Sequence, residues 1–513
     1  MNLVATAVFL ALFLLVTVLG FASARWRSGD LNQLREWGLG GRRFGNWITW
    51  FLIGGDLYTA YTFVAVPALV FGVGALGFFA IPMTIIAYPL VFALVPRLWL
   101  VAHKHDYITV SDFVGGRYGS RWLALALAVT GIVATMPYIA LQLVGIEVVI
   151  GGLGFPASHG LLGEAPLILA FVVLAAFTYT SGLRAPATIA VVKDLLVYVT
   201  VVAMVVVVSR HLGGMGAVFT AIAPEHLLLP PIAHGDWGQQ SAYATLALGS
   251  AMAVMVYPHA ATAVLAAKGP NTLRRNMVFL PAYSFLLGLV ALLGYMAYAS
   301  GIDRLPSLAP YFRQYGPQFA MPGLLLHYFP SWFVGIGFAA VAISALVPAA
   351  VMSIAAANLF TRIIYRPFFH PDCSSAHEAR MAKRMSLAVK FGALLFIVFL
   401  PLTYAIQLQL LGGIIVLQIL PALVAGLYTR WFDAKALLLG WAVGLGWGAW
   451  AASLSGLRQS IYPLHVAGQV IPGYIGLYAL GLNVLVAAAA TLLVRAAGLA
   501  DDRDATSAVD YAG

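Results

Sequence analysis

The chain has 513 residues, of which 62% are hydrophobic and 9% charged, whereas a soluble domain is about 45–50% apolar and about 25% charged. So few charges in so long a chain exclude a fold bounded by water and imply that lipid covers most of the surface. The formal net charge of +10 does not form a nucleic-acid patch: its basic residues stand at the ends of apolar runs, the pattern of the positive-inside rule.

A membrane-crossing helix needs about 20 mostly apolar residues. Windows of that length predict spans at about 2–22, 44–72, 77–96, 122–150, 164–182, 186–208, 241–262, 277–300, 329–358, 386–406, 410–427, 436–455 and 473–495. The fold class is therefore an all-α integral membrane protein of about thirteen helices. The first span has no Lys or Arg at its amino end and is followed by Arg25, Arg27, Arg35, Arg42 and Arg43. It reads as a retained helix running inward, not as a cleaved signal. With the amino terminus outside, the cytoplasmic segments hold 22 Lys and Arg and the outside segments four, an asymmetry that also puts the carboxyl end in the cytoplasm.

The outside segments 209–240 and 301–328 are too short to fold alone, and the small polar tail 496–513 is expected to be disordered. Cys373 is the single cysteine, so no intrachain disulfide forms. Its neighbours His370, Asp372 and His377 lie in a charged run that reads as a solvated loop more readily than as a metal site.

Two spans have weak centres. The second carries Gly54, Gly55 and Asp56, and the seventh carries Pro258 and His259. Gly pairs and Pro weaken helices, and freed backbone groups at membrane depth are tolerated only inside protein or around a cavity. These spans lie five helices apart, the spacing of two inverted five-helix repeats, each with its first helix broken at the midplane. The bland alternative is two helices that kink for packing. Charges inside the spans narrow the search, because one at the bilayer centre costs about 2.5 kcal/mol or more. Asp56 stands beside the first break, Lys193 and Asp194 are adjacent in the sixth span, and Glu147 lies near the outer end of the fourth. Neighbouring helical residues point in different directions, so which of Lys193 and Asp194 faces a site is open. His259 is equally a packed core histidine or a substrate donor.

Five pieces in chain order then carry a resemblance: Gly54-Gly55-Asp56, Asp112–Gly119, Leu265–Lys268, Ala349–Ser353 and Leu420–Tyr428. The whole chain resembles the sodium:solute symporter family. That resemblance implies a LeuT-like core of two five-helix inverted repeats (44–208 and 241–427), one extra amino-terminal helix (2–22) and two carboxyl-terminal helices (436–495). The stretches Gly54–Tyr61 and Met352–Arg362 look like the branch of bacterial monocarboxylate permeases, which implies a bacterial inner-membrane location and uptake of lactate, pyruvate and similar small acids.

Carried over by position, the family's central sodium site implies carbonyls at Gly54, Leu57 and Ala350 and the hydroxyl of Ser353. Position 354 is Ile and position 356 is Ala, where the family pattern has oxygens to offer, and sodium needs several hard oxygens. Lys193, with Asp194 beside it, lies on the helix that passes that site, and a buried lysine can carry a proton. The coupling ion is thus Na+ or H+, with no other cofactor expected. A small carboxylate is expected between the breaks, near Tyr58, Thr59, Thr62, Gln142, Tyr257, His259 and Gln409, met by amide ends and hydroxyls because no Arg lies at midplane depth. The alternatives are a symporter for an amino acid or another small solute, and, in other classes, a channel, a sensor or an enzyme. The loops carry no nucleophile elbow or phosphate loop that would favour the last. The expected partners are the solute and the bilayer, with no nucleic acid, and the oligomeric state is left open.

Overall fold

A computed structural model describes residues 2–26, 29–57, 59–155, 165–233, 235–399, 405–500 and 503–511. The chain opens with α1 (Leu3–Ala22), capped by Asn2, whose side chain accepts from the Ala5 N–H at 3.2 Å. A short helix α2 (Leu34–Leu39) leads to α3 (Asn46–Leu57), then a π turn at Tyr61–Ala65 that runs into α4 (Val66–Val73). Next come α5 (Ala80–Lys104), α6 (Val110–Tyr118), α7 (Arg121–Gly152), α8 (Ala165–Ser181) and α9 (Arg184–His211).

Two short helices, α10 (Met215–Thr220) and α11 (Pro224–Leu227), precede α12 (Gly238–Val256) and α13 (Pro258–Leu265), which meet at a 52° bend. The chain continues through α14 (Pro270–Phe279), α15 (Pro281–Ser300), α16 (Ala309–Tyr315), α17 (Ala320–Tyr328), α18 (Ser331–Leu359), α19 (Arg366–Phe369) and α20 (Ser375–Phe399). It ends with α21 (Ala405–Val416), α22 (Leu420–Tyr428), α23 (Ala434–Ser453) and α24 (Ile475–Ala496). Among the described residues nine helices are long and apolar enough to cross a membrane, or ten when α12 and α13 count as one. Helix also runs through the described parts of the other expected spans, in α3 with α4, α8 and α20.

The core sits on α18, which is buried along nearly its whole length from Phe333 to Leu359 and packs against α1, α7, α9 and α20. Lipid gives helices no hydrophobic reason to associate, so close packing of small residues does that work. The Ala- and Gly-rich composition of α18 fits this role. A hairpin not anticipated from the sequence, β1 (Ile461–Val466) and β2 (Gln469–Tyr474), precedes α24. Its turn residues Ala467 and Gly468 have φ of 49° and 78°, as a two-residue turn between twisted strands demands.

The expectation of a disordered tail is corrected for residues 503–511, which are strapped across the basic face. Asp504 Oδ2 pairs with Arg117 at 2.7 Å and with Arg430 at 3.5 Å. Ala505 donates to the Gly116 carbonyl at 2.9 Å, and Arg97 lies over the Tyr511 ring. Asp510 pairs with His105 at 2.9 Å, and its bonds to His105 and Ser507 push its carboxyl down to about 2. The folded value is depressed, so its contribution is present above the unstrapped value and is lost only as pH falls through about 2. A spin label at exposed Ser507 is therefore expected to stay immobile from about pH 8 to pH 5, and Asp504→Ala to release it. A mobile label in the unsubstituted chain counts against the strap.

Candidate functional site

The Gly pair was expected to break the second span, yet α3 runs through it to Leu57. The interruption comes just beyond, before the π turn at Tyr61–Ala65. The glycines have another use. A Cβ on Gly54 would lie 2.1 Å from the Tyr283 ring, and one on Gly55 would lie 2.8 Å from Lys193 Nζ. They admit two side chains to the backbone of α3. In α12 the helix stops at Val256 because Pro258 removes a donor. Tyr257 is extended, with φ −61° and ψ 133°, and α13 restarts at Pro258.

The two interruptions face each other. His259 Nε2 lies 3.3 Å from Asp56 Oδ2, with the side chains 4% and 10% exposed. The other polar atoms of this pair, Asp56 Oδ1 and His259 Nδ1, are buried without a hydrogen-bond partner among the described residues. Tyr138 and Tyr257 flank the imidazole at ring distances of 5.3 and 5.2 Å. Asp56 also borders a pocket of about 60 Å³ whose walls include Ala87, Val91, Met255, Ala260 and Val264.

Thr59 and Thr62 are buried beside the first interruption. Gln142 has its amide engaged by backbone: Oε1 accepts from Ala60 N at 2.9 Å, and Nε2 donates to Tyr138 O at 3.2 Å. The Gln409 carbonyl accepts from Tyr257 OH at 3.2 Å. Tyr58 lies outside the described residues.

Behind α3 stands a second cluster. Lys193 Nζ donates to the Gly55 carbonyl and pairs with Asp194 Oδ1 at 3.0 Å, both side chains fully buried. Adjacent positions on α9 thus serve one site, because the long lysine folds back onto its neighbour. Tyr283 OH donates to Asp194 Oδ2 at 2.6 Å. No sequence feature marked Tyr283, since one tyrosine in an apolar helix carries no signal until its neighbours are known. On α18, which packs on both α3 and α9, Ser353 Oγ donates to the Ala350 carbonyl at 2.8 Å.

These residues fit a sodium ion poorly. One carbonyl of α3 already accepts from an ammonium, and Ile354 offers no oxygen where hard ligands are needed. The Gly pair gives a direct check. Gly54→Ala drives a methyl into a rigid ring and is expected to cost about 1–3 kcal/mol, read as a lower Tm. Gly55→Ala meets the Lys193 ammonium end at 2.8 Å and the Asp194 carboxylate at 3.3 Å, so it disturbs the ion pair directly and is expected to lower ion-driven uptake more than Tm. Equal effects of the two on both readouts would contradict this assignment.

Residues 37–444 match the sodium:solute symporter family. A monocarboxylate transport permease protein of Rhizobium johnstonii is 51% identical over 506 residues, covering 96% of this chain and 98% of that one. An uncharacterized symporter of Bacillus subtilis, YodF, is 34% identical over 86% of this chain and 87% of its own. A solved Na+-coupled sialic acid symporter, 14% identical, superposes with a TM-score of 0.77 over 96% of this chain and 98% of that one, which establishes a shared fold. The chain belongs to the sodium:solute symporter family, as a multi-pass membrane protein that carries a solute by symport.

Proposed function

We propose that this symporter imports short monocarboxylates by alternating access across a bacterial inner membrane, with its amino terminus outside, and that the coupling ion is a proton held by Lys193. The observation that carries the coupling is the Lys193 ammonium on the Gly55 carbonyl, with Asp194 at 3.0 Å. A sodium ion placed against that ammonium would be repelled strongly in a low-dielectric site. In the protonated carrier Nζ ties α9 to α3. When the cytoplasmic side opens, water takes one proton from Nζ, and the neutral amine loses its attraction to Asp194 and releases α3. One carboxylate and one proton enter together, without net charge.

The substrate reading rests on three supports. The 51% identical relative is named for monocarboxylate transport. The first turn of α13 is a helix start, whose amide ends favour an anion. The adjoining pocket is walled mostly by apolar residues, with Asp56, Thr84 and Tyr88 among them and no Arg or Lys among the described lining residues, so it suits an alkyl tail and would leave a second carboxylate unpaired. Tyr257 and His259 border the carboxylate in this reading, and Thr59 and Thr62 supply hydroxyls near the break. Gln142 holds the backbone beyond the first interruption, and the Gln409 backbone carbonyl holds the Tyr257 hydroxyl at the second.

A sodium-coupled variant is the second reading. It is favoured by the family to which the chain belongs and by the retained Ala350 carbonyl and Ser353 hydroxyl. Uptake into proteoliposomes with sodium and pH gradients imposed separately decides between them. A pH step alone is expected to drive uptake, with lactate, pyruvate and propionate competing. Uptake that follows sodium and ignores pH supports the second reading, and competition by sugars or nucleosides alone overturns the substrate.

A further inference from the structure

On the basic face, α3 and α14 part around a groove of about 320 Å³ lined by Asn46, Trp47, Trp50, Arg275, Asn276 and Phe279. Trp47 and Phe279 are 76% and 65% exposed, which in this chain means exposed to lipid. Arg275 precedes Phe279 by four residues and so shares its helix face. The arginine therefore sits where hydrocarbon gives way to headgroups, beside the tryptophan expected at that depth.

No hydrogen bond or ion pair to the Arg275 guanidinium is found among the described residues. Two further polar atoms of the groove residues, Trp50 Nε1 and Asn276 Oδ1, are buried and lack hydrogen-bond partners among them. Asn276 Nδ2 donates to the Asn46 carbonyl at 3.3 Å, which fixes α14 to the start of α3 and holds the groove's shape.

We propose that this groove binds an anionic phospholipid of the basic-side leaflet. Its phosphate pairs with the Arg275 guanidinium, whose planar fork matches phosphate oxygens, and its acyl chains run along Trp47 and Phe279. Lys268, just before α14, adds to the field that selects negative headgroups. The site also reaches the transport machinery. The Trp50 ring lies 4.7 Å from that of Tyr283, and Tyr283 holds Asp194. A lipid pressed on Trp50 steadies the cluster that holds Lys193.

Native mass spectrometry of the purified full chain, titrated with phosphatidylglycerol or phosphatidylcholine, tests the site apart from any transport. Phosphatidylglycerol is expected to be retained preferentially, and Arg275→Gln to weaken it about fivefold, the effect of one interfacial charge. Arg274→Gln, on an exposed residue bonded to Asn271, is expected to change nothing. An unchanged Tm confirms that each variant folds. Equal retention of the two lipids, equal loss in both variants, displacement by soluble glycerol phosphate, or a doubled mass without lipid each overturns the proposal.

Discussion

Replacing Lys193 with alanine is expected to abolish uptake driven by an imposed pH step while leaving exchange of labelled for unlabelled substrate running. Lys193 and Asp194 are both fully buried, 3.0 Å apart, at a depth where each charge alone is costly. Exchange needs only that the loaded carrier open alternately to each side, which asks nothing of a proton that comes and goes. Net accumulation needs the proton to leave Nζ on the cytoplasmic side, and alanine has none to give.

Removing one partner of a buried pair costs about 3–5 kcal/mol, so Lys193→Ala must be shown to fold. Asp194→Asn in the same chain removes the stranded charge and restores Tm, and it does not restore coupling if Lys193 is the carrier of the proton. Two results would sink the idea: pH-driven uptake that survives in the alanine variant, or a sodium dependence unchanged by it.

The parts of this site legible in the sequence were those that break a rule locally. Asp56, Lys193 and Asp194 are charges inside apolar runs, and Pro258 is a proline inside a helix. Each departs from what lipid allows, and each lies in or beside the two clusters. What could not be read was set by partners far along the chain. Tyr283 is ordinary in its own helix and becomes a ligand of Asp194 only through the packing of α15 on α9. The role of the Gly pair was misread for the same reason, because the ring and ammonium it admits come from residues 283 and 193.

The tail shows the limit most plainly. Its composition is that of a disordered segment, and its order comes from Arg97, His105, Arg117 and Arg430, which lie in α5, α6 and the loops beyond α5 and α22. Of the five pieces that carried the family resemblance, two meet there directly. Arg117 of Asp112–Gly119 donates to the Gly426 carbonyl of Leu420–Tyr428 at 2.9 Å.

Asp56→Asn is expected to lower concentrative uptake about tenfold or more, which is at least ~1.4 kcal/mol of lost coupling, while expression and Tm hold. Asparagine keeps the volume and an oxygen able to face His259 Nε2, so the geometry between the two interruptions survives. What it removes is a buried carboxylate with one oxygen 3.3 Å from an imidazole and the other without a hydrogen-bond partner among the described residues. A carboxylate so poorly paired does not stabilise its surroundings, and replacing one is often neutral or favourable to the fold. On the proposed function, a carboxylate that costs stability where it stands beside the pocket serves transport.

The expected signature is therefore a divergence: Tm equal to or above that of the unsubstituted chain, with accumulation lost. Counter-flow of labelled lactate separates the causes. If it persists in Asp56→Asn, the carboxylate serves coupling, and if it vanishes with accumulation, the carboxylate serves substrate recognition. Accumulation at the unsubstituted level would show that Asp56 serves neither.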